Sequence, residues 1–157
     1  MLAGDVGEML RARGLTMAVA ESCTGGKLGD MITDVPGSSD YFVGGVISYS
    51  NDAKERFLGV SHSVLATKGA VSEEVADQMA SGVRKAFKAD IGIGITGIAG
   101  PSGATPAKPV GLVYIAVSSG DRSVCVSNNF GGGRENVKMQ AAEKALHLLR
   151  DFLAERA

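Results

Sequence analysis

Residues 20–26, AESCTGG, most constrain the fold, because they join a predicted strand to a predicted helix through hydroxyls and glycines. Apolar residues before the turn predict a buried strand over 15–21, and the residues after it predict a helix over 25–34. Backbone N–H groups and the helix dipole at such a helix start favour an anionic or polarised ligand. An ordinary helix cap formed by Ser22 or Thr24 is the alternative interpretation.

Two more predicted strands end in hydroxyl groups. The strand over 41–49 includes Ser48 and precedes a short helix carrying Lys54, and the strand over 90–96 ends at Thr96. The carboxyl ends of parallel strands share one edge of an open sheet, and ligands bind there. Three polar strand ends therefore predict a ligand site at this edge rather than capping alone.

The bulk composition describes one ordinary globular domain. The 157 residues are 45% hydrophobic and 21% charged, and the net charge of −1 gives no electrostatic case for nucleic acid. No apolar run approaches the roughly 18 residues of a membrane span, and no signal peptide is evident, so we expect a cytoplasmic protein without a membrane partner. Cys23 and Cys125 lie in different elements without a CxxC motif or a nearby histidine, so neither a metal nor another cofactor is expected.

The order of predicted elements is α-β-α-β-α-α-β-β-β-α. It indicates a mixed, mostly parallel sheet of about five strands with helices on both faces. A loop rich in glycine and proline is expected over 97–110. The remaining elements are helices over 4–13, over 52–58, from Ser72 and over 134–155, and strands over 111–118 and 122–129.

Several motifs occur in the order typical of one family. The sequence contains AESCTGG, YSNDAK, GAVSEEV, GITGIAGP, KPVG and GGGRENV. In these motifs it resembles the CinA carboxyl-terminal domain family, over about residues 15 to 155. That family includes stand-alone nicotinamide-nucleotide amidases, also called NMN deamidases. The resemblance implies a single domain over 1–157 with a three-layer α/β/α fold.

The resemblance also implies an activity, the hydrolysis of the carboxamide of nicotinamide mononucleotide to nicotinate mononucleotide and ammonia. The family's serine–lysine pair falls on Ser22 and Lys54, with a third hydroxyl at Thr96. Its Gly-Arg pair falls on Gly133 and Arg134, although relatives often carry an aspartate where Gly133 stands. The alternative is a non-catalytic module that binds nucleotides or takes part in competence and damage responses.

Amide hydrolysis needs a nucleophile, a base and an oxyanion site. His62, expected in a polar turn, and His147, expected on the last helix, are both predicted to lie on the surface, which disfavours a Ser/His/Asp triad. Lysine acts as a base only if its pKa falls from about 10.4 toward about 7–8. Lys54 would then take the proton of Ser22, directly or through Thr96; otherwise it is a solvated helix lysine.

Candidate substrate contacts surround this pair. The N–H groups of Gly25 and Gly26, or that of Gly97, are predicted oxyanion donors. Ser48 and Tyr49 are predicted to orient the lysine or the carboxamide, although Tyr49 is also compatible with an ordinary strand residue.

Two places fit the phosphate of the substrate, and the sequence does not rank them. One is Thr24 with the glycines that begin the following helix, and the other is Arg134 at the start of the last helix. Cys23, which follows Ser22 at the end of the strand, is expected to point away from the site as a small buried side chain.

Two further expectations concern surfaces. Segments 41–49 and 110–117 carry no charged residue, which predicts self-association into a homo-oligomer, most simply a dimer. The loop from Gly97 to Pro109 is predicted either to close over bound nucleotide as a lid or to serve as a plain connector.

Overall fold

A five-stranded sheet forms the centre of the protein, with strand order β2-β1-β3-β4-β5. The structure, a computed structural model, describes residues 1–155. The strands are β1 Met17–Glu21, β2 Phe42–Ile47, β3 Ile91–Gly97, β4 Leu112–Ser118 and β5 Ser123–Asn129.

Six α-helices connect and cover the strands in the described part of the chain. A single 3-10 turn, Ser38–Asp40, precedes β2. The helices are α1 Leu2–Arg13, α2 Lys27–Thr33, α3 Asn51–Leu58, α4 His62–Lys68, α5 Glu73–Phe87 and α6 Arg134–Ala154.

Strand direction confirms the predicted mixed, mostly parallel sheet. β1 pairs in parallel with both β2 and β3, whereas β4 pairs antiparallel with β3 and β5. Four of the five strands therefore run the same way, with β4 as the exception. The carboxyl ends of β1, β2 and β3 consequently meet at one edge of the sheet.

Two cores, one on each face of the sheet, confirm the three-layer architecture. Helices α1, α2 and α6 cover one face, and α3, α4 and α5 cover the other. Burying an apolar side chain such as Met79 of α5 contributes about 1.5–3 kcal/mol. A Cβ atom on Gly92 or Gly94 of β3 would lie within 2.4 Å of a backbone oxygen of α5, so glycine allows this close packing.

Helix α4 is absent from the elements predicted from the sequence. His62, expected in a polar turn, begins this helix, and the Ser61 hydroxyl caps it by accepting the N–H of Val64 at 3.4 Å. The helix has only seven residues and one buried residue, Leu65. Such a short amphipathic repeat falls below the length at which periodicity is informative.

The two uncharged segments have different surroundings. Residues 112–117 belong to β4, an inner strand whose side chains are all buried except the half-buried Tyr114, so that strand offers little free surface. β2 is an edge strand, and Val43 and Ile47 are exposed on it. The expectation of a homo-oligomer therefore stays a prediction supported by β2 alone.

Candidate active site

The carboxyl ends of β1, β2 and β3 border a cavity of about 280 Å³. The three residues predicted to be catalytic, Ser22, Lys54 and Thr96, all line it, although they lie far apart in sequence. Of the predicted substrate-binding residues, the lining includes Tyr49, Gly97 and Arg134.

Ser22 and Lys54 contact each other directly. Lys54 Nζ donates to Ser22 Oγ at 3.0 Å, and both residues are buried. Ser22 follows the last residue of β1, while Lys54 lies in the first turn of α3. The hydroxyl of Ser50 caps α3 by accepting the N–H of Ala53 at 3.0 Å, which fixes the helix start and directs Lys54 toward the sheet.

The surroundings of Lys54 favour a neutral amine. Its Nζ also donates to the carbonyl oxygens of Ser48 at 2.9 Å and Tyr49 at 3.4 Å. The side chain is 1% exposed, and no carboxylate pairs with it among residues 1–155. Burial lowers the pKa of the ammonium, a shift opposed by the nearby Cys23 thiol. In the neutral amine the two hydrogens donate to these two carbonyls, and the nitrogen lone pair then faces the Ser22 hydroxyl.

Thr96 does not connect the lysine to the serine. Its hydroxyl donates to the carbonyl oxygen of Ala70 at 2.8 Å, so this proton is not available for transfer between Ser22 and Lys54. The direct Ser22–Lys54 contact is the shorter of the two proton routes considered from the sequence. Thr96 still lines the cavity, where its oxygen has lone pairs available as acceptors.

The side chain of Glu21, the last residue of β1, reaches the start of α2. Its buried carboxylate accepts the backbone N–H groups of Gly26 at 3.3 Å, Leu28 at 3.0 Å and Gly29 at 2.9 Å. Three donors compensate the desolvation of this carboxylate and stabilise the turn. The anion-binding capacity of this helix start is thus already used by the protein itself.

The glycines of the turn serve backbone conformation. Gly25 and Gly26 have φ angles of 61° and 108°, in the left-handed region that glycine adopts freely. The Gly25 N–H donates to the carbonyl oxygen of Ser22 at 3.1 Å, and the Gly26 N–H donates to Glu21. Both predicted oxyanion donors are therefore engaged in holding the turn, which corrects the expectation that they face the substrate.

Two other N–H groups of the turn have no oxygen acceptor. The backbone N–H groups of Cys23 and Thr24 donate to no oxygen within residues 1–155, and that of Cys23 lies beside its own sulfur. They directly follow Ser22 in the chain and are candidate oxyanion donors. Burial raises the pKa of the Cys23 thiol to about 11, so this side chain is a protonated apolar group and a poor nucleophile.

Two predicted substrate-binding hydroxyls lie away from solvent. The hydroxyl oxygens of Thr24 and Ser48 are buried and have no hydrogen-bond partner in the described part of the chain. Neither residue lines the cavity. Their contact with substrate stays a prediction that requires local movement.

Arg134 closes one side of the cavity. Its guanidinium donates to the carbonyl oxygen of Gly100 at 2.6 Å and to the Tyr49 hydroxyl at 3.0 Å. Helix α6 begins at this residue, after Gly133, without a side-chain cap. The guanidinium therefore joins the start of α6 to the end of β2 and to the glycine-rich loop.

The loop after β3 is anchored at its start. Residues 98–100 are buried, whereas residues 101–107 are exposed. The predicted lid can therefore involve only the exposed part, and its movement stays a prediction. Ser102 of this loop and Asn51 of α3 also line the cavity, and the sequence analysis assigned neither. For Asn51 the signal was present, because it lies within the YSNDAK motif.

Residues 1–155 contain neither a metal-binding cluster nor a membrane-spanning helix. No three His, Cys, Asp or Glu side chains lie close enough together to hold a metal ion. No helix there is both long and apolar enough to cross a membrane.

Comparisons with known proteins agree on one family. The CinA C-terminal domain family matches residues 1–153. A protein of Moorella thermoacetica named for competence-damage induction is 57% identical over 143 residues, which are 91% of this chain and 34% of that protein. A CinA-like protein of Nostoc is 50% identical over 166 residues, covering 99% of this chain and 39% of its own length. The chain thus spans little more than a third of these relatives.

Solved structures match over nearly their full length. The competence/damage inducible protein CihA of Agrobacterium tumefaciens has a TM-score of 0.93 and 37% identity, covering 96% of this chain and 92% of that one. A CinA superfamily protein of Klebsiella pneumoniae has a TM-score of 0.95 and 34% identity, covering 98% of this chain and 96% of that one. Sequence and fold together show that the chain belongs to the CinA C-terminal domain family.

Proposed function

We propose that the chain is an amidase that hydrolyses the carboxamide of nicotinamide mononucleotide by a serine–lysine mechanism. The observation that carries the proposal is the 3.0 Å contact between Ser22 Oγ and a buried Lys54 Nζ that has no carboxylate partner among residues 1–155. A structural lysine at this depth would be expected to have a counter-ion. A lysine without one favours the neutral form, which is the form that acts as a base.

The reaction begins with proton transfer. Neutral Lys54 accepts the hydroxyl proton of Ser22 while Ser22 Oγ attacks the carboxamide carbon. The resulting oxyanion is stabilised by the backbone N–H groups of Cys23 and Gly97, both of which line the cavity, and that of Thr24 contributes only after local movement. Thr96 accepts a hydrogen bond from the carboxamide NH₂ group and so favours amides over esters.

The reaction ends with the release of two products. The Lys54 ammonium gives its proton to the departing nitrogen, the C–N bond breaks and ammonia leaves. The ester formed on Ser22 is then hydrolysed by a water molecule that Lys54 deprotonates. Lys54 then returns this proton to Ser22 Oγ as the ester bond breaks, and the carboxylic acid formed releases its own proton to solvent to give the carboxylate of nicotinate mononucleotide.

The experiment measures ammonia released from nicotinamide mononucleotide in the presence of a metal chelator. We expect turnover by the unmodified protein and a loss of at least about 1,000-fold in Ser22→Ala and in Lys54→Met. Lys85→Met, which removes an exposed lysine of α5, is the matched control and should retain full activity. Full activity in both site variants would refute the mechanism.

A non-catalytic nucleotide-binding module remains the second candidate function. Its motivation is the family's naming after competence and damage induction. Calorimetric binding of the nucleotide by the unmodified protein without any ammonia release would support it in place of the amidase.

A further inference from the structure

A second cation lies one helical turn beyond Arg134. Lys138 is half-buried, and its Nζ lies close to the turn after Ser22: a Cβ atom built on Gly25 would be 3.6 Å from this nitrogen. Residues four apart on a helix share one face, so Lys138 and Arg134 are neighbours on α6. Arg134 lines the cavity, and Lys138 lies beside the turn that follows Ser22.

No carboxylate neutralises these two cations within the described residues. Neither Arg134 nor Lys138 takes part in an ion pair, and the hydrogen bonds of Arg134 go to neutral groups. The carboxylate of Glu21, the residue before Ser22, is buried and already accepts hydrogen bonds from three backbone N–H groups.

The position of Arg134, the first residue of α6, is unfavourable for helix stability. The start of a helix carries the positive end of its dipole, where acidic side chains stabilise and basic ones destabilise by a few tenths of a kcal/mol. A local choice that opposes the fold is expected at functional sites. The neutral contacts of Arg134 hold its side chain in place but leave both positive charges uncompensated, and an anionic ligand would compensate them.

We propose that Lys138, together with Arg134, binds the phosphate monoester of the substrate. The inference rests on the proposed function, which supplies a nucleotide with its carboxamide at Ser22. Of the two phosphate positions open from the sequence, the start of α2 is already occupied by Glu21, whereas this pair has no anionic partner in residues 1–155. Lys138 therefore determines specificity for the phosphorylated substrate and takes no part in the proton transfers.

The test compares two substrates in Lys138→Gln, which removes the charge and keeps a polar side chain. We expect KM for nicotinamide mononucleotide to rise about tenfold or more with kcat nearly unchanged, since one charge-assisted hydrogen bond is lost. The KM for nicotinamide riboside, which lacks the phosphate, should not change. Lys138→Arg should keep most of the affinity for the nucleotide.

The matched control is Lys144→Gln, since this lysine is also half-buried on α6 but lies six residues further along. It should change neither KM. Equal effects of Lys138→Gln on the nucleotide and the riboside, or no effect on either, would overturn the inference.

Binding measurements separate this inference from the proposed function. If the unmodified protein releases no ammonia, the proposed function fails. Calorimetry with nicotinamide mononucleotide then tests the inference alone. Binding weakened about tenfold by Lys138→Gln supports it, and undetectable binding or binding unaffected by the substitution overturns it.

Discussion

The starts of α2 and α6 look alike in sequence but have opposite surroundings. Each helix follows a glycine, and neither start has a hydrogen bond from the side chain of its capping residue. At α2 the carboxylate of Glu21 accepts three backbone N–H groups. At α6 no carboxylate pairs with Arg134 or Lys138 in residues 1–155.

The difference indicates a division of roles between the two helix starts. A helix start neutralised by its own protein is a fixed structural element, and here it supports the turn that carries Ser22. The start of α6 adds the charge of Arg134 to the dipole, has only Glu135 as an acidic residue in its first turn, and favours an external anion. The strand–glycine–helix pattern therefore identifies a place where an anion can bind, but not whether that anion is the substrate.

Replacing Glu21 by Gln should have the largest effect on stability. Gln keeps one acceptor oxygen and places an NH₂ group where the other carboxylate oxygen accepted hydrogen bonds, so at least one buried N–H loses its partner. We expect unfolding in urea to show a loss of about 2–3 kcal/mol. We also expect kcat to fall, because the turn carrying Ser22 loses its support.

Glu143→Gln on α6 is the control for this prediction, since Glu143 is exposed. Its unfolding free energy should change by less than about 0.5 kcal/mol. If Glu21→Gln were equally neutral in stability and kcat, the start of α2 would not depend on its carboxylate and the contrast with α6 would disappear.

Replacing Arg134 by Gln should have the smaller effect on stability and should act on binding instead. The guanidinium contacts only neutral groups, Gly100 and Tyr49, so we expect unfolding free energy to change by about 0.5 kcal/mol or less. KM for the nucleotide should rise about tenfold or more as a phosphate contact is lost. A large loss of stability with an unchanged KM would assign Arg134 a structural role.

Sequence reasoning located the strand ends because their signals are local. Three apolar runs end in hydroxyl residues, at Ser22, Ser48 and Thr96. Predicting that they meet needs only the periodicity of strands and the rule that the carboxyl ends of parallel strands share one edge of the sheet. The mixed, mostly parallel arrangement of the sheet was predictable from the order of helices and strands along the chain. The Ser22–Lys54 pairing came from the resemblance to the family, since composition alone allowed a solvated lysine.

The missed features depend on contacts between distant backbone groups. Which N–H groups Glu21 accepts, and that Thr96 donates to the carbonyl of Ala70, cannot be derived from side-chain patterns. Lys138 was missed because a lysine in an amphipathic helix is expected to be solvated. Only the three-dimensional structure shows that no carboxylate pairs with it in residues 1–155. The same limit made Gly25 and Gly26 appear available to the substrate.

The pH dependence of kcat/KM for nicotinamide mononucleotide tests the central claim, that buried Lys54 acts as the base for Ser22. Burial lowers the pKa of this amine, and the neutral fraction of a base rises with pH, so activity should increase as pH rises through that pKa. We predict an ascending limb with a midpoint below the ordinary lysine value of about 10.4, and no such limb in the residual rate of Lys54→Met. A wild-type profile that is flat or falls between about pH 6 and pH 10, or an unchanged limb in Lys54→Met, would contradict the account.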